Sequence, residues 1–103
     1  MAHIIWAPQA FADLESLLDY IARSEPATAR RFGQKVLDRI ESLATFPDSG
    51  SLVPEDDTMT YREVFQGPYR IIFRSDKSKV VIVAIHHGAR LLRVDDLQDD
   101  QGE

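Results

Sequence analysis

The stretch YREVFQGPYRIIFRSDKSKVVIVAIHH, residues 61–87, decides the fold of this chain. Three runs within it, residues 61–65, 69–75 and 80–86, are rich in β-branched and aromatic residues, and the breaks between them have hairpin length. This pattern predicts three consecutive antiparallel strands. The third run has no polar side over residues 80–85, so we expect it to lie inside the sheet with both faces buried.

The side chains of the middle run alternate between the two faces of the predicted sheet, with Arg70 and Arg74 on the face opposite the aromatic rings. A three-residue turn at residues 66–68 would bring Arg62 to the same face as these two arginines. A two-residue turn would instead place Arg62 among the aromatic side chains, where burial of an unpaired charge is costly. We therefore predict the three-residue turn and a basic patch of Arg62, Arg70 and Arg74 on a sheet face that is at least partly open.

The first half of the chain predicts a strand at residues 3–6 and two helices that begin at Pro8 and Pro26. Apolar residues at helical spacing are expected in the core, namely Phe11, Leu14, Leu18 and Ile21 from the first helix and Phe32, Val36, Ile40 and Leu43 from the second. Polar, turn-forming residues at 47–57 predict a surface loop. The fold class is therefore α+β: an N-terminal strand, a helical hairpin and an antiparallel three-stranded meander, with the helices packed on one sheet face.

Composition and charge narrow the class of protein. We assign one domain to residues 1–94 of the 103-residue chain, and we expect the acidic tail at residues 95–103 to be disordered. The sequence has no cysteine, no export signal and no membrane-spanning run, so we expect a cytoplasmic protein without membrane attachment. The net charge of −5 disfavours a general polyanion binder, although basic side chains are concentrated in residues 58–94.

Common enzyme motifs are missing from the sequence, which has no nucleophile elbow, no phosphate-binding glycine loop and no His-Glu-x-x-His zinc motif. His86 and His87 are neighbours on a predicted strand, and their side chains should point to opposite faces of the sheet. They are therefore not expected to hold one metal ion. We expect neither a metal nor a cofactor.

Cationic side chains form the candidate site that remains. Arg62, Arg70 and Arg74 share the predicted sheet face, and Arg90 follows the two histidines where the last strand ends. Such a cluster can hold a phosphate while a histidine moves a proton, as in a metal-free ribonuclease. From the residues alone, pairing of these side chains with acidic groups of this chain or of a protein partner is the favoured interpretation. The residues alone therefore support an anion-binding or partner-binding domain.

Motifs along residues 3–93 resemble the RelE/ParE toxins of bacterial type II toxin–antitoxin systems. The residues that carry the resemblance are Trp6-Ala7-Pro8, Asp13-Leu14, Tyr20-Ile21, Pro26, Phe46-Pro47-x-x-Gly50, Arg62, Tyr69-Arg70-Ile71-Ile72-Phe73 and His87-Gly88-Ala89-Arg90. The resemblance implies a RelE/ParE-like fold with a strand, a helical hairpin and an antiparallel sheet. It also implies a growth-inhibiting toxin that a cognate antitoxin wraps and neutralises.

The two branches of this family differ in target and in chemistry. RelE-like members cut mRNA in the ribosomal A site, whereas ParE-like members poison DNA gyrase without chemistry of their own. On the RelE-like branch the resemblance assigns catalysis to Arg62, Arg70 and Arg90, with His87 as a substitute proton carrier. Two departures weigh against that branch. Val64 stands where a second basic residue is common, and residues 91–103 contain neither Tyr nor His.

The resemblance therefore favours a ParE-like gyrase inhibitor. The negative net charge agrees, because binding to the ribosome depends on neutralising phosphates. On this branch Arg62, Arg70, Arg74 and Arg90 are expected to bind the protein partners, DNA gyrase and the antitoxin. A ribosome-dependent mRNA endonuclease is the alternative, and an inactive, non-toxic family member is the third possibility. Whether the chain is an enzyme depends on this choice.

Overall fold

A computed structural model of the protein describes residues 1–97. Its elements in chain order are β1 (His3–Trp6), α1 (Pro8–Ala22), α2 (Pro26–Thr45), β2 (Ser51–Leu52), β3 (Arg62–Gln66), β4 (Tyr69–Asp76), β5 (Lys79–His87) and a 3-10 turn, η1 (Val94–Asp96). This order confirms the predicted strand, helical hairpin and meander. The short strand β2 was not predicted, because its two residues lie in a stretch dominated by turn formers.

Both helices begin at a proline, which occupies the first helical turn, where a missing backbone N–H leaves no hydrogen bond unmade. The residues Val36, Ile40 and Leu43 of α2 are buried as the sequence predicts. Helix α2 therefore presents one apolar stripe to the sheet.

The predicted core stripe of α1 is partly wrong. Leu14 is buried, but Phe11 is 55% exposed, and Ala10 takes the fully buried position beside it. The ring of Phe11 meets the ring of Trp6 edge-on, with 6.4 Å between centroids. The stripe of α1 therefore centres on Ala10 and Leu14, and Phe11 lies at its margin.

The sheet has five strands in the order β1-β5-β4-β3-β2. Strand β1 runs parallel to β5, with His3 opposite Lys79, and the other neighbours are antiparallel. The side chains of Val80 to Ile85 in β5 are all buried, which confirms the prediction of an interior strand covered on both faces.

The turn between β3 and β4 contradicts the predicted three-residue loop. Gln66 lies opposite Tyr69, so only Gly67 and Pro68 form the turn. Gly67 has φ of 58°, and a glycine at the first central position suits the type II′ hairpin turn. In this register Arg62 lies opposite Phe73, on the sheet face that carries the helices.

The sheet separates two apolar layers. The helix-facing layer contains Val64, Ile71 and Phe73 together with the buried stripes of α1 and α2. The opposite layer is smaller, and in it Val53 and Leu92 cover side chains of β4 and β5. The second face is therefore less open than the sequence predicted, because the loop before β3 and the segment after β5 fold over it.

The predicted tail begins with residues that the structure describes. Asp95 and Asp96 belong to η1, and Leu97 packs against the smaller apolar layer. The remaining residues of that prediction, 98–103, lie outside the described part of the chain. Within residues 1–97, neither helix combines the length and the hydropathy needed to cross a membrane.

Candidate functional site: two arginine environments

Arg70 lies at the centre of a buried ionic cluster on the sheet face away from the helices. Its Nε donates a hydrogen bond to Glu63 Oε1 at 2.6 Å, while Nη1 and Nη2 donate to Glu55 Oε2 and Oε1 at 3.0 and 2.7 Å. The side chain of Arg70 is only 6% exposed. We call Arg70, Glu55 and Glu63 the Arg70 cluster. Each of the three guanidinium nitrogens donates a hydrogen bond to a carboxylate in it.

The two carboxylates of this cluster reach Arg70 by different routes. Glu63 lies on β3, where the antiparallel pairing with β4 places it diagonally across from Arg70. Glu55 comes from the loop before β3, 15 residues earlier in the chain than Arg70. The Glu63 side chain is 7% exposed and that of Glu55 is 35% exposed. Glu63 is thus a fixed part of the sheet, whereas Glu55 closes the cluster from outside.

Mutual stabilisation of the charges shifts the pKa values of Glu55 and Arg70. The hydrogen bonds from the Arg70 guanidinium hold the pKa of Glu55 below its ordinary value. The same hydrogen bonds to Glu55 are the main reason that the pKa of Arg70 is raised. Burial lowers it, and the bond to Glu63 raises it further. Arg70 is therefore a permanently charged group in a closed ion cluster.

The loop that carries Glu55 is fixed by its neighbour Asp56. We call residues 53–61 the strap, because Val53 at one end is buried against the sheet. Asp56 Oδ1 accepts hydrogen bonds from the backbone N–H and hydroxyl of Thr58 at 3.0 and 2.5 Å. Its Oδ2 accepts from the N–H groups of Thr60 and Tyr61 at 2.8 and 2.9 Å.

The four hydrogen bonds to Asp56 favour its ionised form. The hydroxyl of Thr58 contributes most, and together these donors lower the pKa of Asp56 to about 2 despite the opposing effect of burial. The ionised carboxylate therefore holds the strap in one conformation at neutral pH.

The basic patch predicted from the sequence does not exist as a group of three arginines. Arg70 and Arg74 share one face of β4, but Arg62 lies on the other face, at the start of β3, where it pairs with Leu52 of β2 and Phe73 of β4. Arg62 is half-buried, and its Nη1 donates to the carbonyl of Gly50 at 3.3 Å. The patch fails because an arginine at the end of a strand can lie on the apolar face and still extend its guanidinium to solvent.

The second arginine environment lies where β5 ends, and here the cations are exposed. We call His86, His87, Arg90 and Arg93 the β5 end. They line a cleft of about 370 Å³ beside Asp13 of α1, whose Oδ2 accepts the backbone N–H of Ile85. In the described part of the chain, neither Arg90 nor Arg93 forms an ion pair within 4.0 Å.

The two histidines of the β5 end point to opposite faces, as predicted. His86 lies opposite Arg70 and His87 opposite Tyr69 in the β4–β5 register. His87 Nδ1 accepts the backbone N–H of Ala89 at 3.1 Å, so the neutral ring carries its proton on Nε2. His86 Nε2 lies 3.2 Å from the carbonyl oxygen of Arg90. Among residues 1–97, no three His, Asp or Glu side chains are grouped as a metal site requires.

A second cleft of about 530 Å³ adjoins the β5 end on the helix side. His87 and Arg90 line it together with Tyr20 and Tyr69. The Tyr69 ring is held edge-on between Phe32 and His87, with centroid distances of 5.5 and 5.1 Å. The β5 end thus offers arginine and imidazole groups to a ligand, and Tyr20 and Tyr69 add aromatic surface beside them. The Arg70 cluster, in contrast, is closed.

Sequence reasoning identified the arginines and missed their partners. Glu55, Glu63 and Asp56 were not predicted as site residues, because the pairings span 7 and 15 residues and follow from the register of β3 and β4. The available signal was the possibility that the arginines pair with acids of the same chain. For Arg70 that possibility is correct.

Three comparisons place this chain among known proteins. Residues 4–92 match the family model described as ParE toxin of type II toxin–antitoxin system, parDE. Toxin RelE2 of Caulobacter vibrioides is 38% identical over 92 residues, which cover 88% of this chain and all of that protein. A chain from the solved structure titled chromosomal ParDE TA system from P. aeruginosa superposes with a TM-score of 0.70 at 20% identity. That match covers 84% of this chain and 96% of the other, and it supports the fold.

Proposed function

The chain belongs to the ParE toxins of type II toxin–antitoxin systems, and from this premise we propose that it inhibits growth by binding and poisoning DNA gyrase in the cytoplasm. We also propose that a cognate antitoxin neutralises it, since the family model and a matched structure both come from toxin–antitoxin systems. In this proposal the protein works through contact surfaces and carries out no chemistry of its own.

The state of Arg70 is the observation that carries the choice of gyrase over mRNA. A ribonuclease of this family would need this arginine to offset charge on a phosphate. The guanidinium fork is instead filled by Glu55 and Glu63 at 2.6 to 3.0 Å. A phosphate would have to displace a carboxylate from a cluster that already holds two negative charges for one positive charge. This supports a toxin that does not cleave RNA at Arg70.

Arg90 is the strongest candidate for a partner contact. It is exposed, it forms no ion pair among the described residues, and aromatic and histidine side chains lie beside it. Arginine next to aromatic surface is typical of residues that dominate protein interfaces. We propose that Arg90 contacts the target, with Arg62 and Arg74 at the sheet contributing less because they are partly buried.

A supercoiling assay with purified gyrase tests the proposal. The expected result is that the purified chain stabilises cleaved DNA and that Arg90→Ala weakens this effect at least tenfold. Arg30→Ala removes an equally exposed arginine from α2 and is the matched control, which should keep full activity. Unchanged supercoiling at saturating toxin would contradict the proposal.

Ribosome-dependent mRNA cleavage is the second candidate, and one comparison favours it. The relative that is 38% identical over its whole length is named Toxin RelE2. On this candidate the β5 end would carry the chemistry, with His87 as proton carrier and Arg90 beside the phosphate. This candidate predicts codon-specific cuts in mRNA during translation, and it predicts that His87→Ala and Arg90→Ala abolish them. That result would identify the chain as a ribonuclease and not a gyrase inhibitor. If neither assay responds and unopposed expression is harmless, the chain is an inactive member.

A further inference from the structure

The Arg70 cluster contains one carboxylate that is built in and one that can leave. Glu63 is buried and belongs to β3, so removing it from Arg70 would require the sheet to open. Glu55 is 35% exposed and reaches Arg70 from the strap, so a rotation of its side chain is enough to vacate Nη1 and Nη2. Its departure would leave a rigid guanidinium fork aimed at the surface.

The charges around Glu55 decide which anion suits this fork. A cleft of about 470 Å³ beside Glu55 is lined by Arg93 and by the acidic side chains of Asp95 and Asp96. Glu63 remains on Nε whatever binds the other two nitrogens. A polyanion such as RNA would meet three carboxylates around the one vacated position, whereas a single carboxylate replaces Glu55 with no change in charge.

Apolar surface lies beside Arg70 at its β3 neighbour. Phe65 lies directly opposite Arg70 in the β3–β4 register and is 52% exposed. The backbone of Gly88 fits between them, since a Cβ there would lie 3.4 Å from the Phe65 ring and 3.7 Å from Arg70 Cγ. Leu91 follows shortly after and is also exposed. Arginine is enriched among the residues that carry most of the binding energy of protein interfaces.

From these three observations we propose that Glu55 is an internal stand-in for a partner's carboxylate. In the complex, an acidic side chain flanked by an aliphatic residue on a protein partner takes over Nη1 and Nη2 of Arg70, and the aliphatic residue packs on Phe65. This inference rests on the proposed function insofar as that function acts through protein contacts, but it does not depend on which protein is the target. Glu55 then competes with the partner and sets the affinity of this surface.

Removing the competitor is the direct test. Glu55→Gln keeps the size of the side chain and removes its charge. The probe is the blocked dipeptide acetyl-Glu-Leu-amide, with acetyl-Gln-Leu-amide as its neutral counterpart, and the readout is the NMR signal of the Arg70 Nε–H. If Glu55 fills the fork more than about 90% of the time, its removal lowers the apparent Kd for the acidic dipeptide about tenfold or more.

A second variant and a third probe keep the result unambiguous. Asp57→Asn changes an exposed strap residue next to the cluster and should bind both dipeptides as the unaltered chain does. Thermal unfolding of Glu55→Gln confirms that it is folded before binding is measured. The phosphorylated dinucleotide pTpT tests the other class of macromolecule.

The inference is overturned if Glu55→Gln binds the two dipeptides equally, or if pTpT binds it more tightly than the acidic dipeptide. A tenfold gain for the acidic dipeptide supports the inference even where the gyrase assay is negative, because that assay tests the target and this one tests the surface. Gyrase inhibition without any gain in dipeptide binding leaves the proposed function standing and removes the role assigned to Glu55.

Discussion

The Arg70 cluster and the β5 end are neighbours that use the same residue type in opposite ways. His86 of the β5 end lies directly opposite Arg70, yet Arg70 is buried with two carboxylates while Arg90 is exposed with none among the described residues. In the first environment the arginine joins the strap to the sheet. In the second it is available to a ligand. The role of each arginine therefore depends on whether carboxylates lie beside it in the folded chain, and hardly at all on its place in a sequence motif.

The largest expected effect comes from breaking the buried cluster. Arg70→Ala leaves the carboxylate of Glu63 buried without its partner, and loss of one member of a buried ion pair costs about 3–5 kcal/mol in the free energy of unfolding. Urea unfolding followed by circular dichroism measures this cost. The double variant Arg70→Met with Glu63→Leu removes both buried charges and should recover most of the loss. If the double variant were no better than the single one, the cost would arise from packing and not from the unpaired charge.

Two glycines, one beside the strap and one near the β5 end, allow the backbone constraints of the two regions to be compared. Gly50 precedes the strap with φ of 87°, and a Cβ there would lie 2.4 Å from the carbonyl oxygen of Glu63. Gly50→Ala should therefore destabilise the protein by about 2 kcal/mol or more, of which about 1–2 kcal/mol is the left-handed backbone alone. Gly88 lies between His87 and Arg90 of the β5 end and has no such φ, and its added Cβ would meet the carbonyl oxygen of Pro68 at 3.0 Å. Gly88→Ala should cost less, and thermal unfolding of the two variants side by side measures the difference.

Acid should release the strap. The pKa of Asp56 is about 2 in the folded chain, below its ordinary 3.8, and the pKa of Glu55 is lowered as well. A depressed carboxyl pKa contributes stability above the ordinary pKa, and this contribution is lost as the pH falls through the folded value. The thermal midpoint should therefore fall between about pH 5 and pH 2. Asp56→Asn should show a shallower fall over this range, and an unchanged slope would contradict the role assigned to Asp56.

The smallest expected effect on stability is at Arg90. Because its side chain is exposed and has no ion pair among residues 1–97, Arg90→Ala should change the free energy of unfolding by no more than about 0.5 kcal/mol. The same substitution is expected to have the largest effect on toxicity. Urea unfolding and growth measurements on one variant separate the two effects. A loss of several kcal/mol would show that the β5 end is structural as well.

Most of the fold could be predicted from local patterns. The strand at residues 3–6, both proline-started helices and the meander follow from periodicity and turn residues, and the structure confirms them. The prediction of a three-residue turn was wrong, because Arg62 was expected to avoid the apolar face of the sheet. The turn has only Gly67 and Pro68. At the end of a strand an arginine escapes that cost, since its guanidinium reaches solvent and the carbonyl of Gly50.

The candidate site was less predictable, because its determining contacts are long-range. Nothing local marks Glu55 as the partner of Arg70, and the pair forms only after the strap folds over the sheet. The cover of the second face by Val53 and Leu92 has the same origin. Val53 and Leu92 each belong to a pair of apolar residues, Leu52-Val53 and Leu91-Leu92, and two residues are too few for periodicity to reveal which one is buried. The residues of the β5 end were easier to find, because they follow one another in the chain.

The parallel pairing of β1 with β5 has a consequence for how the protein is made. His3 is synthesised 76 residues before its neighbour Lys79. At about 5–20 residues per second, the first strand waits roughly 4–15 s for its partner during translation. A chain interrupted before β5 lacks the interior strand on which both apolar layers are built. A newborn or truncated copy therefore lacks a complete sheet until β5 has been made.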